Sequence, residues 1–80
     1  MAILRLFASA REAAGTGRDV VAAESVGELL AIASERYGSQ FVDVLRTCRV
    51  WVNGESATSD TVLTAGDEVA VLPPVSGGAC

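Results

Sequence analysis

Ser25-Val26-Gly27-Glu28 opens a segment whose start and stop are both written in its residues, and that segment constrains the fold more than any other. A hydroxyl at the N-cap with a carboxylate three positions later is a capping box, in which each side chain accepts an N–H that the first helical turn leaves free. Val26, Leu29, Leu30, Ala33 and Tyr37 then recur at helical spacing. Residues 26–37 are therefore expected to form a helix with one apolar face. Gly38 supplies a left-handed stop. Such a helix has to lay its apolar face on another element, and the flanking segments read as strands.

Residues 2–8, AILRLFA, predict a first strand. SAREAAG predicts a short helical turn ending at Gly15, and a turn at GTG leads to a second strand over 18–23. Beyond the helix, strands at 49–52 and 55–57 flank Asn53-Gly54. That pair is the strongest short hairpin signal, because both central residues of a type I′ turn need positive φ. Residues 61–63 read as a short strand or turn, and Ala65-Gly66-Asp67 as a tight turn. A last strand follows over 68–72, with Val69 and Val71 on one face, and Pro73 and Pro74 end its pairing because proline has no N–H to donate. Strand, strand, helix and two or three further strands predict an α+β domain of the ubiquitin-like β-grasp type. Its mixed sheet carries one main helix on one face. The domain is expected to span 1–74, with 75–80 as a flexible C-terminal tail.

Eighty residues allow one small core, and half of them are hydrophobic, mostly Ala, Val and Leu. No apolar run approaches the eighteen or more residues of a membrane span, and Arg5 interrupts the apolar start, so neither a span nor a secretory signal is expected. The expected location is cytoplasmic. The net charge is −4, and every basic side chain is an arginine. An acidic chain without a basic cluster is a poor partner for nucleic acid. Lacking histidine and lysine, it has no ready neutral-pH acid–base group and no Schiff-base or P-loop amine. It is not expected to catalyse alone. Two cysteines are too few for a disulfide scaffold or a zinc site, so no metal is expected. Cys48, inside the strand-like run LRTCRVWV, reads as a reduced buried thiol.

The functional signal is at the other end. Pro73-Pro74-Val75-Ser76-Gly77-Gly78 combines a stiff exit, since proline fixes φ, with glycines whose backbone can thread a channel too narrow for side chains. Extended, this stretch reaches at most about 20 Å, at roughly 3.3–3.6 Å per residue. Its deliverable group is the α-carboxylate of Gly78, which becomes electrophilic once adenylated. The chain has no G-x-x-x-x-G-K-[ST] phosphate loop, so ATP belongs to a separate activating enzyme and no cofactor is expected to bind this chain directly.

The runs LTAGDEVAVLPPVSGG, WVNGE and FASAREAAG together resemble the MoaD/ThiS sulfur-carrier family, on its molybdopterin-synthase small-subunit branch, over nearly all of residues 2–78. The resemblance implies a cycle in which an E1-like enzyme adenylates Gly78 and a sulfur-transfer enzyme converts it to a thiocarboxylate. The tail, from Pro73 to Gly77, then enters the large subunit of molybdopterin synthase. There the carrier gives sulfur to a cyclic pterin phosphate, and holding the tail makes the delivery effectively intramolecular. Acids, bases and lysines belong to the partners. The resemblance also makes Arg11, otherwise a solvated side chain, a candidate contact to the adenylating enzyme. Leu72, Pro73, Pro74 and Val75 are read either as closing the core or as lying in a partner groove.

Ala79 and Cys80 depart from the family pattern, in which the second glycine owns the carboxylate. Three readings stay open. A processing protease of the zinc-dependent JAMM type removes them; they are retained and the domain is a binding module; or Cys80 acts as a thiol itself. Sulfur carriers for thiamine or cysteine synthesis, and ubiquitin-like conjugation tags, use the same tail chemistry.

Overall fold

The computed structural model describes residues 1–73. In chain order the elements are β1 (Ala2–Leu6), α1 (Ala8–Ala14), β2 (Arg18–Val21), α2 (Val26–Tyr37), α3 (Ser39–Leu45), β3 (Arg49–Val52), β4 (Glu55–Ser56) and β5 (Glu68–Leu72). The sheet order is β2-β1-β5-β3-β4. β1 and β5 run parallel at the centre, and the remaining pairs are antiparallel. This is the expected β-grasp arrangement.

Alternation along the strands decides which face the helices cover. Ala2, Leu4 and Leu6 of β1, Val21 of β2, and Val69 and Val71 of β5 are fully buried. Val26, Leu29 and Ala33 of α2 meet them, with Ala10 of α1 and Phe41 of α3. The expected apolar face of α2 is thus in place, with Leu30 and Tyr37 at its half-buried margin. The N-cap half of the capping box is formed as read, Ser25 Oγ accepting from Glu28 N at 3.2 Å, while Glu28 Oε1 reaches one residue further back and accepts from Glu24 N at 2.7 Å.

Several boundaries differ from the sequence reading. β1 stops at Leu6 rather than Ala8: the Phe7 N–H makes the last rung to the Val71 carbonyl at 3.2 Å, and Ala8, at φ +51, turns the chain out of the strand and into α1. SAREAAG is a full helix, α1, capped at Gly15 in the left-handed region. β2 ends at Val21, and β4 keeps only Glu55 and Ser56 of the three residues expected. Over 61–63, Val62 makes a single antiparallel bridge to Ser25, closing the N-terminus of α2.

The largest difference is α3. The expectation was one main helix followed by a strand-like run, and the described residues hold three helices. Gly38 has φ +92 and ψ −172, outside the left-handed helical well; it ends α2 and starts α3 at once. Glycine suits that φ, and the redirected chain drops Phe41 into the core. Cys48 therefore lies in the turn before β3, its N–H bonded to the Leu45 carbonyl at 3.1 Å. It is half-buried, and burial pushes its thiol pKa up.

The turn before β5 sets the register of the central strand. Asp67 accepts from Thr64 N at 2.8 Å and from Asn53 Nδ2 at 3.0 Å, while Asn53 Oδ1 accepts from Glu68 N at 3.0 Å. The Thr64 N–H, and then the Asn53 amide, hold the Asp67 carboxyl below the ordinary value. Asn53 and Gly54 carry φ +51 and +85, as the type I′ reading requires.

A second polar cluster ties α2 to the sheet. The Tyr37 hydroxyl donates to Asp19 Oδ2, and Arg36 Nη1 reaches the same oxygen at 2.8 Å. Burial, then the bond to Asp19 and the charge of Asp19, push the Tyr37 pKa up from 10.0 to about 12. The Tyr37 bond, followed by Arg36 and the Val20 N–H, holds Asp19 below its ordinary 3.8. The signs set two pH limbs. For Tyr37 the native state keeps its proton longer than the unfolded state does. Its contribution is complete below pH 10.0 and falls as pH rises toward about 12. For Asp19 the unfolded state takes the proton first, so its contribution is lost as pH falls below 3.8 through the depressed native value. We expect the alkaline loss to be about 1 kcal/mol, allowing for solvent screening. Urea midpoints across pH would read it, and Tyr37→Phe should flatten the alkaline limb. Ultraviolet titration checks the assignment directly, because Tyr37 is the chain's single tyrosine.

Candidate functional site

β5 leads the chain toward the candidate tail from the middle of the sheet, between β1 and β3. Leu72 is its last residue, opposite Arg49 of β3, and Pro73 follows; both are half-buried. Pro74, Val75, Ser76, Gly77, Gly78, Ala79 and Cys80 lie outside the described residues, so the sequence expectations for them rest on the sequence. Leu72 shares register with Glu68 and Ala70, not with buried Val69 and Val71. It belongs to the face turned away from the helices, so of its two readings the core is not the one realised.

That open face has a composition the sequence reading missed. Pairing places Arg18, Arg5, Ala70, Trp51 and Ser56 in one row across all five strands. Val20, Ile3 and Glu68 form the row on one side, and Leu72 and Arg49 begin the row on the other. The small Ala70 leaves Trp51 36% exposed beside the end of β5. Phe7, 38% exposed, lies at the same end with the Arg5 guanidinium 5.8 Å from its ring centre. Arg5 Nη1 also meets Glu68 Oε2 at 3.3 Å, an exposed pair worth under about 1 kcal/mol.

Three of the six arginines, Arg5, Arg18 and Arg49, therefore stand on one surface of a chain with net charge −4. Arg5 and Arg18 are directly opposite across the ladder, an arrangement that costs stability when no anion intervenes. The signal was present in the alternation Ile3-Arg5, Arg18-Val20 and Arg49-Trp51. It became readable only once strands distant in sequence were paired.

Arg11 is placed differently. It lies in the last turn of α1, where a cation favours the helix C-terminus, and its stem lies along Gly17. It forms no salt bridge among the described residues, and its guanidinium remains available to a partner. Among the described residues no group of three or more His, Cys, Asp or Glu could hold a metal ion. No helix among them is long and apolar enough to cross a membrane.

A β-grasp domain whose central strand is followed in sequence by Pro-Pro-x-x-Gly-Gly, and whose open face carries an exposed tryptophan and three arginines, belongs to the ubiquitin-like carrier and modifier class. The chain is a member of the ThiS family, whose model matches residues 4–78. The crystal structure of SAMP1 from Haloferax volcanii is 32% identical, covering 96% of this chain and 98% of that one, with a TM-score of 0.78. A putative molybdopterin converting factor subunit 1 from Pyrococcus furiosus is 26% identical over 92% and 97%, with a TM-score of 0.81. A complex of subunits 1 and 2 of molybdopterin-converting factor from Helicobacter pylori contains a chain 27% identical over 96% and 97%, with a TM-score of 0.74.

Proposed function

We propose that this chain is a sulfur carrier of molybdopterin synthesis, with Gly78 as the group acted upon. The observation that carries the reading is the family match, which runs through the tail and ends at Gly78, the residue whose carboxylate the chemistry requires. Removal of Ala79-Cys80 by a processing protease of the JAMM type exposes that carboxylate. An E1-like partner joins it to AMP from ATP with release of pyrophosphate. Hydrosulfide from a sulfur-transfer enzyme then attacks the acyl carbon, AMP leaves, and the product is the thiocarboxylate.

The charged carrier docks on the large synthase subunit through its open sheet face, Trp51 and Leu72 supplying apolar contact and Arg5, Arg18 and Arg49 meeting acidic groups. Docking brings the tail to the acceptor at high effective concentration. All of these steps belong in the cytoplasm, where ATP and reduced thiols are available. The subunit complex from Helicobacter pylori supports a partner of this kind.

A second reading has its own support. Similarity to proteins described as small archaeal modifier protein 1 favours a conjugation tag, in which activated Gly78 is attached to a lysine of another protein.

Intact mass of the protein from its own cells separates these readings. The carrier is expected to lack the Ala-Cys mass and to show a fraction heavier by the difference between sulfur and oxygen. Isopeptide adducts on other proteins, without the sulfur-bearing species, would replace it with the tag. A full-length mass throughout, with no sulfur added, would overturn both.

A further inference from the structure

The outer edge of β2 is hydrogen-bonded along its whole length by side chains of its own molecule. In an antiparallel ladder, bonded and non-bonded pairs alternate. The Leu6 N–H donates to the Gly17 carbonyl at 3.0 Å, and the register continues through Leu4 opposite Asp19 and Ala2 opposite Val21. Arg18 and Val20 are therefore the residues whose N–H and C=O groups point away from β1. Those four groups are what an incoming strand would need.

All four have partners. The Thr16 hydroxyl accepts from Arg18 N at 3.4 Å and donates to Arg18 O at 3.0 Å. Asp19 Oδ1 accepts from Val20 N at 2.8 Å, and Arg36 Nη1 donates to Val20 O at 3.2 Å. Arg36 and Tyr37 at the end of α2 hold the other oxygen of Asp19, which fixes the carboxylate over the edge. The opposite edge of the sheet, β4, is two residues long and has little to offer a strand.

We propose that Thr16, Asp19 and Arg36 form an edge guard that keeps a second copy of this chain from adding its β2 to this one. An unpaired edge is self-complementary through a twofold axis, and β2, with Val20 40% exposed, is the sheet's longer edge. The guard bonds on the Arg18 and Val20 N–H groups would have to break, and the side chains over their carbonyls would have to move aside, before a strand could pair. The domain is thereby directed to meet partners through its open face and its tail.

The test compares the full-length protein with the Thr16→Ala/Asp19→Ala/Arg36→Ala variant by sedimentation across protein concentration. The native protein should remain monomeric and the variant should become a concentration-dependent dimer. Adding Val20→Pro, which deletes the outward N–H without touching the ladder to β1, should return the variant to monomer. A folded variant that stays monomeric overturns the guard. So does a dimer that survives Val20→Pro, because its interface then lies elsewhere. If the triple variant does not fold, amide exchange on the native protein decides. Arg18 and Val20 should exchange at least about tenfold more slowly than unstructured amides, and exchange at the unstructured rate overturns the proposal.

Discussion

Phe41→Ala should lower the unfolding free energy by about 3–5 kcal/mol, the range for removing a buried aromatic ring. Phe41 has no exposed surface and stacks edge-to-face on Tyr37, ring centres 5.2 Å apart at 65°. It is also the fully buried anchor of α3, with Val44 and Leu45 packed beside the core on the same helix. A domain of this length holds on the order of 4–12 kcal/mol in total. The variant should therefore be marginal, with α3 detached and Cys48 open to thiol reagents. Urea unfolding and the rate of Cys48 labelling measure the two effects. A loss below about 1 kcal/mol would mean that the site collapses around the missing ring and that α3 contributes little.

Trp51→Thr should separate folding from partnership. Trp51 sits on the open face, opposite Ala70 and beside the strand that leads to Pro73. Threonine keeps a side chain suited to strands and leaves the helix-covered face untouched. A tryptophan central to a docking surface is typically worth about 2–4 kcal/mol of binding. Affinity for the proposed partner, the synthase large subunit, should accordingly fall by about 30- to 1000-fold. Calorimetric titration gives the affinity, and a denaturation curve on the same sample gives the stability. Unchanged affinity would remove the open face from the docking scheme and leave the tail to carry recognition alone.

The hairpin at Asn53-Gly54, the capping box at Ser25 and the alternation of Val69 and Val71 were legible because each is a local rule. Backbone conformations that glycine or asparagine tolerates, and side chains within four residues of the N–H they accept, do not depend on distant partners. α3 was not legible for the opposite reason. Seven residues make two turns, too short to hold as an isolated helix, and its valines favour a strand. Burial of Phe41 under the end of α2 overrides that preference. Gly38 was read correctly as an end of α2, but its ψ, set by where the chain goes next, turned a stop into a corner.

The candidate site divides the same way. The proposed reactive end rests on the residues alone: two prolines expected to stiffen the exit and two glycines expected to thread a channel. The surface that would grip that partner depends on register. Arg5, Arg18, Arg49 and Trp51 come from three strands, and nothing in the spacing along the chain announces that they share a face. The sequence by itself determined the main helix and the hairpin, because those follow from short-range sterics and hydrogen bonding, and the reading of the tail rests on it alone. Only the tertiary structure decided α3, the cationic face and the closed edge of β2, because each depends on side chains that long-range pairing and burial bring together.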